Sequence, residues 1–319
     1  MSSLRRGVGP LLIALATAGA VAACGGGGAA GGGGENQLSG SVRIDGSSTV
    51  APISTVAAEQ FMTQNPGVQV TVGTPGTGGG FEKFCAGETD ISDASRPIED
   101  DEKQVCGKNG IQFDEFSVAT DALTVVVSKQ NTWAKCLTVD QLKQIWEPNS
   151  KVKTWKQVDP SFPNEPLKLF GPGTDSGTFD YFTEEINGEE GASRTDYSPS
   201  EDDNVIVQGV AGSKGGLGYF GYSYFEENQD KLNAVQIDGG DGCVEPSVQT
   251  AQDGSYTPLA RPVFIYPSAK SMQRPEVEAF VTYYAQNAVK MAEAAKLVPL
   301  NEQQNQELQA KLESLKSQG

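Results

Sequence analysis

Apolar residues in this chain come in short runs, and each run hands over to a cluster of glycine, serine, threonine or aspartate. Val42-Arg43-Ile44 ends in Gly46-Ser47-Ser48-Thr49, after which Val50 to Met62 takes up helical spacing with Pro52 near the first turn. The unit repeats: Val68-Gln69-Val70-Thr71-Val72 alternates as a strand, Gly76-Thr77-Gly78-Gly79-Gly80 follows as a loop, and a helix opens at Phe81. A third short strand, Thr89 to Ser92, ends in Asp93-Ala94-Ser95-Arg96. Strand, polar loop and helix in succession predict an α/β domain with its loops gathered at the carboxyl ends of the strands.

Asp121 to Ser128 is a continuous β-branched run, the pattern of a strand buried on both faces, and is expected to cross into a second domain. Beyond it the spacing predicts a helix over Val139 to Trp146, a strand over Leu167 to Phe170, and a loop, Gly171 to Thr178, that opens a helix through Phe179 to Phe182. A second βα-like core continues through Asn204 to Gln208 and the strand Gly218 to Tyr222. Pro262 to Tyr266 reads as a return crossing, and Pro275 to Leu297 as a long amphipathic helix that packs back on the first domain. The expectation is two discontinuous domains, residues 41–122 plus 264–319 and residues 123–263. The last stretch, Asn301 to Gly319, spaces Leu308, Leu312 and Leu315 as a peripheral helix.

The first residues belong to neither domain. Arg5 and Arg6 precede the apolar run Pro10 to Ala16, which leads to Val21-Ala22-Ala23-Cys24, the pattern of an exported leader (residues 1–24) with a lipobox. The run is too short for a stable span, so Cys24 is expected to be acylated and to hold the mature chain on the membrane. Residues 25–40, glycine-rich from Gly25 to Gly34, cannot bury apolar surface and read as a flexible tether.

The formal charge is −17, and removal of a leader carrying two arginines and no acids makes the mature chain more acidic still. A field of that sign excludes nucleic acid and anionic lipid surfaces as partners of the globular part. It also repels anions at long range, so any anion bound must be held by local dipoles and a few placed cations. The chain has no histidine, which removes Ser–His and Cys–His catalysis and His-ligated metals. Cys85, Cys106, Cys136 and Cys243 form an even set in an exported chain and predict disulfides. Three pairings are possible. Cys85–Cys106 with Cys136–Cys243 is preferred because each bond then stays within one domain, and zinc is disfavoured by the absence of any close cysteine pair.

Hydroxyls and glycines stand where strands give way to helices: Ser48 and Thr49, Thr77 with Gly78, Ser95, and Ser176-Gly177-Thr178. Unpaired amides and a partial positive charge at such positions suit an oxyanion. Each cluster alone also reads as an ordinary helix cap; Arg96, beside Ser95, adds a cation to the set.

The segments Asp45-Gly46-Ser47-Ser48-Thr49-Val50-Ala51-Pro52, Gly76 to Gly80, Asp90 to Ile98 and Gly173 to Phe182, in this order, resemble the phosphate-binding lipoproteins of Pst-type phosphate ABC transporters. The resemblance covers about residues 41 to 300. It implies a two-domain periplasmic-binding-protein fold of the second type, each lobe a mixed sheet flanked by helices, hinged by two crossing strands. It further implies a monomer outside the cytoplasmic membrane that is not an enzyme, needs no cofactor, and passes inorganic phosphate to an ABC permease. Carried over by position, the ligand contacts are Ser48, Thr49, Thr77, Ser95, Arg96, Ser176, Gly177 and Thr178. Two departures stand out. Pro172 occupies a place where many members carry an arginine, which makes Arg96 the substitute cation, with a surface pair to Glu99 or Asp100 as its alternative role. Ser95 occupies the place of an aspartate that accepts the proton of hydrogen phosphate, leaving Asp93 and Asp175 as candidate acceptors. Sulfate, molybdate or tungstate as ligand, and a phosphatase using Ser48 or Ser176, are the competing readings; so is a signalling lipoprotein on the same fold.

Overall fold

The computed structural model describes residues 37–317. The leader, the expected lipidation at Cys24 and most of the glycine-rich tether lie outside the described residues. Among the described residues there are twelve strands and eleven α-helices. The first part runs β1 (Gly40–Gly46), α1 (Ala51–Gln64), β2 (Val68–Gly73), α2 (Gly76–Cys85), β3 (Ile91–Ala94), α3 (Asp100–Lys108) and the long β4 (Phe116–Ser128). The middle part runs β5 (Cys136–Thr138), α4 (Val139–Trp146), α5 (Trp155–Val158), β6 (Lys168–Pro172), α6 (Gly177–Phe182), β7 (Ser198–Ser200), α7 (Asp203–Ala211), β8 (Gly216–Gly221) and α8 (Tyr222–Glu227). The chain ends with β9 (Leu232–Ala234), β10 (Gln236–Asp238), β11 (Cys243–Val244), α9 (Val248–Gln252), β12 (Ala260–Pro267), α10 (Pro275–Ala294) and α11 (Glu302–Ser317).

β4 organises the rest. Its first half pairs antiparallel with β12, from Phe116 opposite Ile265 to Ala122 opposite Ala260, and its second half pairs antiparallel with β8. β12 pairs antiparallel with β3, which leads through parallel pairing to β1 and β2, while β8 leads in parallel to β6 and β7. The path is β2-β1-β3-β12-β4-β8-β6-β7, with β9 also on β4 and a small separate sheet β11-β10-β5. Because strand side chains alternate between faces, Leu123, Val125 and Val127 enter one core with Trp146, Trp155, Phe182 and Tyr219. Val126 enters another, with Ile206, Val210, Phe220 and Leu232. Around the other half of the sheet, Val42, Ile44, Ile53, Phe61, Phe280 and Tyr284 form one core, and Phe81, Phe84, Ile98 and Tyr266 a fourth.

Cys85 is bonded to Cys106 and Cys136 to Cys243, the pairing preferred from the sequence. The first bond ties α2 to α3 and the second ties β5 to β11.

Four local points differ from or sharpen the sequence reading. The glycine cluster before Phe81 is not a loop: α2 begins at Gly76 and includes Thr77 to Gly80. A Cβ on Gly80 would lie 2.5 Å from the Cα of Gly46 and 2.9 Å from the carbonyl oxygen of Asp45, so close packing of α2 on β1 demands glycine there and overrides its poor helix propensity. Val205 to Val207 lies within helix α7, where Ile206, Val207 and Val210 face the core. The C-terminal helix is not peripheral, since Leu308, Leu312 and Leu315 are buried in the core with Phe280 and Tyr284. β1 also starts at Gly40, inside the expected tether, because Gly40 already pairs with Val68.

Leu312→Ala removes a fully buried side chain and is expected to destabilise the protein by about 2–5 kcal/mol. Urea denaturation checks this; an unchanged midpoint would return α11 to the periphery.

Candidate functional site

The polar segments meet in a cavity of about 280 Å³ lined by Ser47, Ser48 and Thr49 after β1, Pro75 with Gly76, Thr77 and Gly78 at the start of α2, Ser95 and Arg96 after β3, Asp180, Tyr181, Glu184 and Glu190 from α6 onward, and Arg261 of β12. Parallel pairing of β1 with β2 and β3 brings their carboxyl ends side by side, so residues far apart in sequence share one rim. The rim is held by its own hydrogen bonds. Thr77 Oγ1 lies 3.0 Å from Ser95 Oγ and accepts from the Ser95 amide at 3.2 Å, while the Thr49 amide donates to Ser47 Oγ at 3.2 Å.

The opposite wall comes from α6. Ser48 Oγ donates to Asp180 Oδ2 at 3.5 Å. A Cβ placed on Gly177 would lie 3.0 Å from the Thr49 nitrogen and 3.1 Å from both Ser48 Oγ and Thr49 Oγ1, so glycine is what allows this approach. Ser176 caps α6 by accepting from the Thr178 amide at 3.2 Å. The sequence-predicted set therefore divides: Ser48, Thr49, Thr77, Ser95 and Arg96 line the cavity, whereas Ser176, Gly177 and Thr178 are not among its lining residues.

The cations are arranged differently from the expectation. Arg96 donates to both oxygens of Glu102 at 2.8 Å and lies 3.3 Å from Glu99, so it already has carboxylate partners; of its two anticipated surface partners, Glu99 is one. A second guanidinium, missed in the sequence, is Arg261. It stands opposite Asp121 where β4 and β12 pair, with its Nε 4.0 Å from Asp121 Oδ2. Its carbon lies 3.5 Å from the centroid of the Tyr181 ring, Nη2 donates to Thr49 Oγ1 at 3.4 Å, and Nη1 to Glu184 at 3.5 Å. One side chain thus touches the β1 loop, α6 and the π-helical segment Thr183–Asn187 that continues α6. The signal available was Asp121 and Arg261 inside two apolar runs, where a charge is expensive unless it serves a purpose.

The carboxyls also separate. Asp175 is exposed, and Asp93 is buried outside the cavity lining, so neither of the sequence candidates reaches the space, which Asp180 does. Burial pushes Asp180 up, Glu190 adds to the shift, and Ser48 and Arg261 oppose it. Asp121 is pushed up to about 6 because burial outweighs the nearby Arg261. Asp93 is pushed up to about 7 by burial, with the Ser54 hydroxyl opposing and Asp45 reinforcing the shift.

A raised folded-state value means that the native protein holds the Asp93 proton more tightly than the unfolded chain. Its contribution is therefore complete below the ordinary value of 3.8 and is lost as pH rises toward about 7. Asp93→Asn is expected to be more stable than the native chain at alkaline pH by at least about 1 kcal/mol, the gap closing as pH falls through that window. Denaturation midpoints measured against pH check it, and parallel profiles for the two proteins would contradict it.

Comparison with known proteins gives a consistent picture. Residues 31–288 match the PBP superfamily domain. The chain is 50% identical over 256 residues to protein SphX of Synechococcus elongatus, covering 79% of this chain and 75% of that protein. It is 42% identical over 280 residues to the phosphate-binding protein PstS of Staphylococcus saprophyticus, covering 86% and 85% respectively. The crystal structure of a possible phosphate binding protein from Planctomyces limnophilus superposes with a TM-score of 0.84 at 46% identity, covering 87% of this chain and 99% of that one.

Proposed function

The chain belongs to the PBP superfamily, in the family of the PstS and SphX proteins, and we propose that it captures inorganic phosphate outside the cytoplasmic membrane and delivers it to an ABC importer. The observation that carries this reading is the convergence of Ser48, Thr49, Thr77, Ser95 and two guanidiniums, from separated segments, on one small polar cavity. Hydroxyls and a guanidinium fork match a tetrahedral oxyanion, and no general positive field is needed.

In this reading the protein is a binding protein and not an enzyme. The two lobes are residues 41–122 with 264–319 and residues 123–263; the separation of the cores on either side of the β4–β12 pair supports that division. Phosphate bridges the lobes and favours the closed form because it contacts both. Ser176, Gly177 and Thr178 belong to the ligand set as the second-lobe segment that closes on Ser48 and Thr49, which the tight fit at Gly177 supports. Cys24 carries the lipid anchor and the chain works as a monomer.

Arg261 takes the part of the missing loop arginine at Pro172. Arg261→Ala is expected to weaken phosphate binding by more than about tenfold, since a buried anion then loses its deepest cation. Arg96→Ala is expected to cost less, because Glu102 and Glu99 already compensate that charge. Calorimetry decides the order, and a larger loss from Arg96→Ala would restore it as the principal cation. Small-angle scattering of the native protein is expected to show compaction on adding phosphate; an unchanged radius of gyration at saturation would contradict closure.

A further inference from the structure

We propose that Tyr266 is a positioning residue for the cavity, one that sets Arg96 in place without itself being among the lining residues. The inference rests on the phosphate reading above and deepens it by naming a buried residue on which the affinity depends.

Arg96 stands in a short segment that has left the sheet. β3 ends at Ala94, opposite Phe264 of β12, and α3 begins at Asp100. At the near end of this segment the Ser95 amide donates to Thr77 Oγ1 at 3.2 Å. At the far end the Ile98 amide donates to Tyr266 Oη at 3.0 Å. Ile98 is buried, so loss of that acceptor would leave a donor with nothing to replace it.

Tyr266 is itself firmly fixed. It is fully buried, pairs with Ser92 across β12 and β3, and donates from its hydroxyl to Glu115 Oε2 at 2.7 Å. The carbonyl of Glu115 in turn accepts from Lys311 Nζ of α11 at 3.0 Å. Burial, and after it the bond to Glu115, pushes the Tyr266 hydroxyl well above its ordinary value, so it keeps its proton for Glu115 and offers a lone pair to Ile98. The ring adds a second support. It stands edge-on to Phe81 with centroids 5.0 Å apart, and the guanidinium carbon of Arg96 lies 5.7 Å from the centroid of that same Phe81 ring.

The other holds on the segment come from helices. Thr77 belongs to α2 and Glu102 to α3, and the Cys85–Cys106 bond joins those two helices to each other. Tyr266 is a hold from the sheet, on the strand that also carries Arg261. β12 therefore places one guanidinium of the cavity directly and the other through the Tyr266 hydroxyl, which fixes the two cations relative to each other.

Calorimetric titration with inorganic phosphate tests this, using the full chain with and without Tyr266→Phe in the native, Arg96→Ala and Arg261→Ala backgrounds. The substitution keeps the ring and removes the hydroxyl. It is expected to weaken binding about three- to tenfold in the native and Arg261→Ala backgrounds, as for one lost hydrogen bond, and by less than about twofold in Arg96→Ala, where the side chain being positioned is gone. General loosening of the fold would cost the same factor in all three backgrounds, and that result overturns the proposal. Native affinity in Tyr266→Phe overturns it too. Should Tyr266→Phe not fold, Glu115→Ala, which leaves the ring but removes what orients the hydroxyl, is expected to repeat the pattern with a smaller loss; native affinity there overturns the proposal equally. Failure of the native chain to bind phosphate would remove the ligand reading, and the proposal with it.

Discussion

Arg261 places a positive charge, largely withdrawn from solvent, in the middle of the sheet. It lies on β12, directly opposite Asp121 of β4, in the paired strands that link the two halves of the sheet. From there it lies against the ring of Tyr181 and reaches Thr49 and Glu184. Asp121 at 4.0 Å and Glu184 at 3.5 Å both face this half-buried cation, and burial raises the proton affinity of Asp121 in spite of it. Holding that guanidinium at the crossing ties the β4–β12 pair to both walls of the cavity.

The acidity of the chain sharpens this constraint. With a formal charge of −17, the protein cannot gather anions by its overall field, so the cavity must supply donors at contact distance. The loops at the ends of β1, β2 and β3 do this with hydroxyls already ordered by hydrogen bonds to one another, such as Thr77 with Ser95. Preordering lowers the entropy that a ligand must overcome to be held.

Much of the fold was legible in the residues. The β-branched run of β4 announced a strand buried on both faces, and the helical spacing of Val139 to Trp146 matched the bounds of α4, whose start the structure shows to be fixed by a Thr138–Gln141 capping box. The strand-to-helix loops were legible because hydroxyls and glycines cluster there. What failed to appear was tertiary in origin. Glycine in α2 is explained only by the approach of β1, and the leucines of α11 look peripheral until the core they enter is known. Arg261 was missed because its one local signal, a charge inside an apolar run, does not say what the charge meets; its partners Asp121, Tyr181 and Thr49 are scattered along the chain. Asp180 was passed over in favour of Asp93 and Asp175, which stand nearer the loop motifs but project elsewhere.

The most direct measurement is a crystal structure of the protein grown with saturating phosphate. The account predicts tetrahedral density within hydrogen-bonding distance of Ser48, Thr49, Thr77, Ser95 and the guanidinium of Arg261. An empty cavity, or density seated elsewhere on the surface, would contradict it.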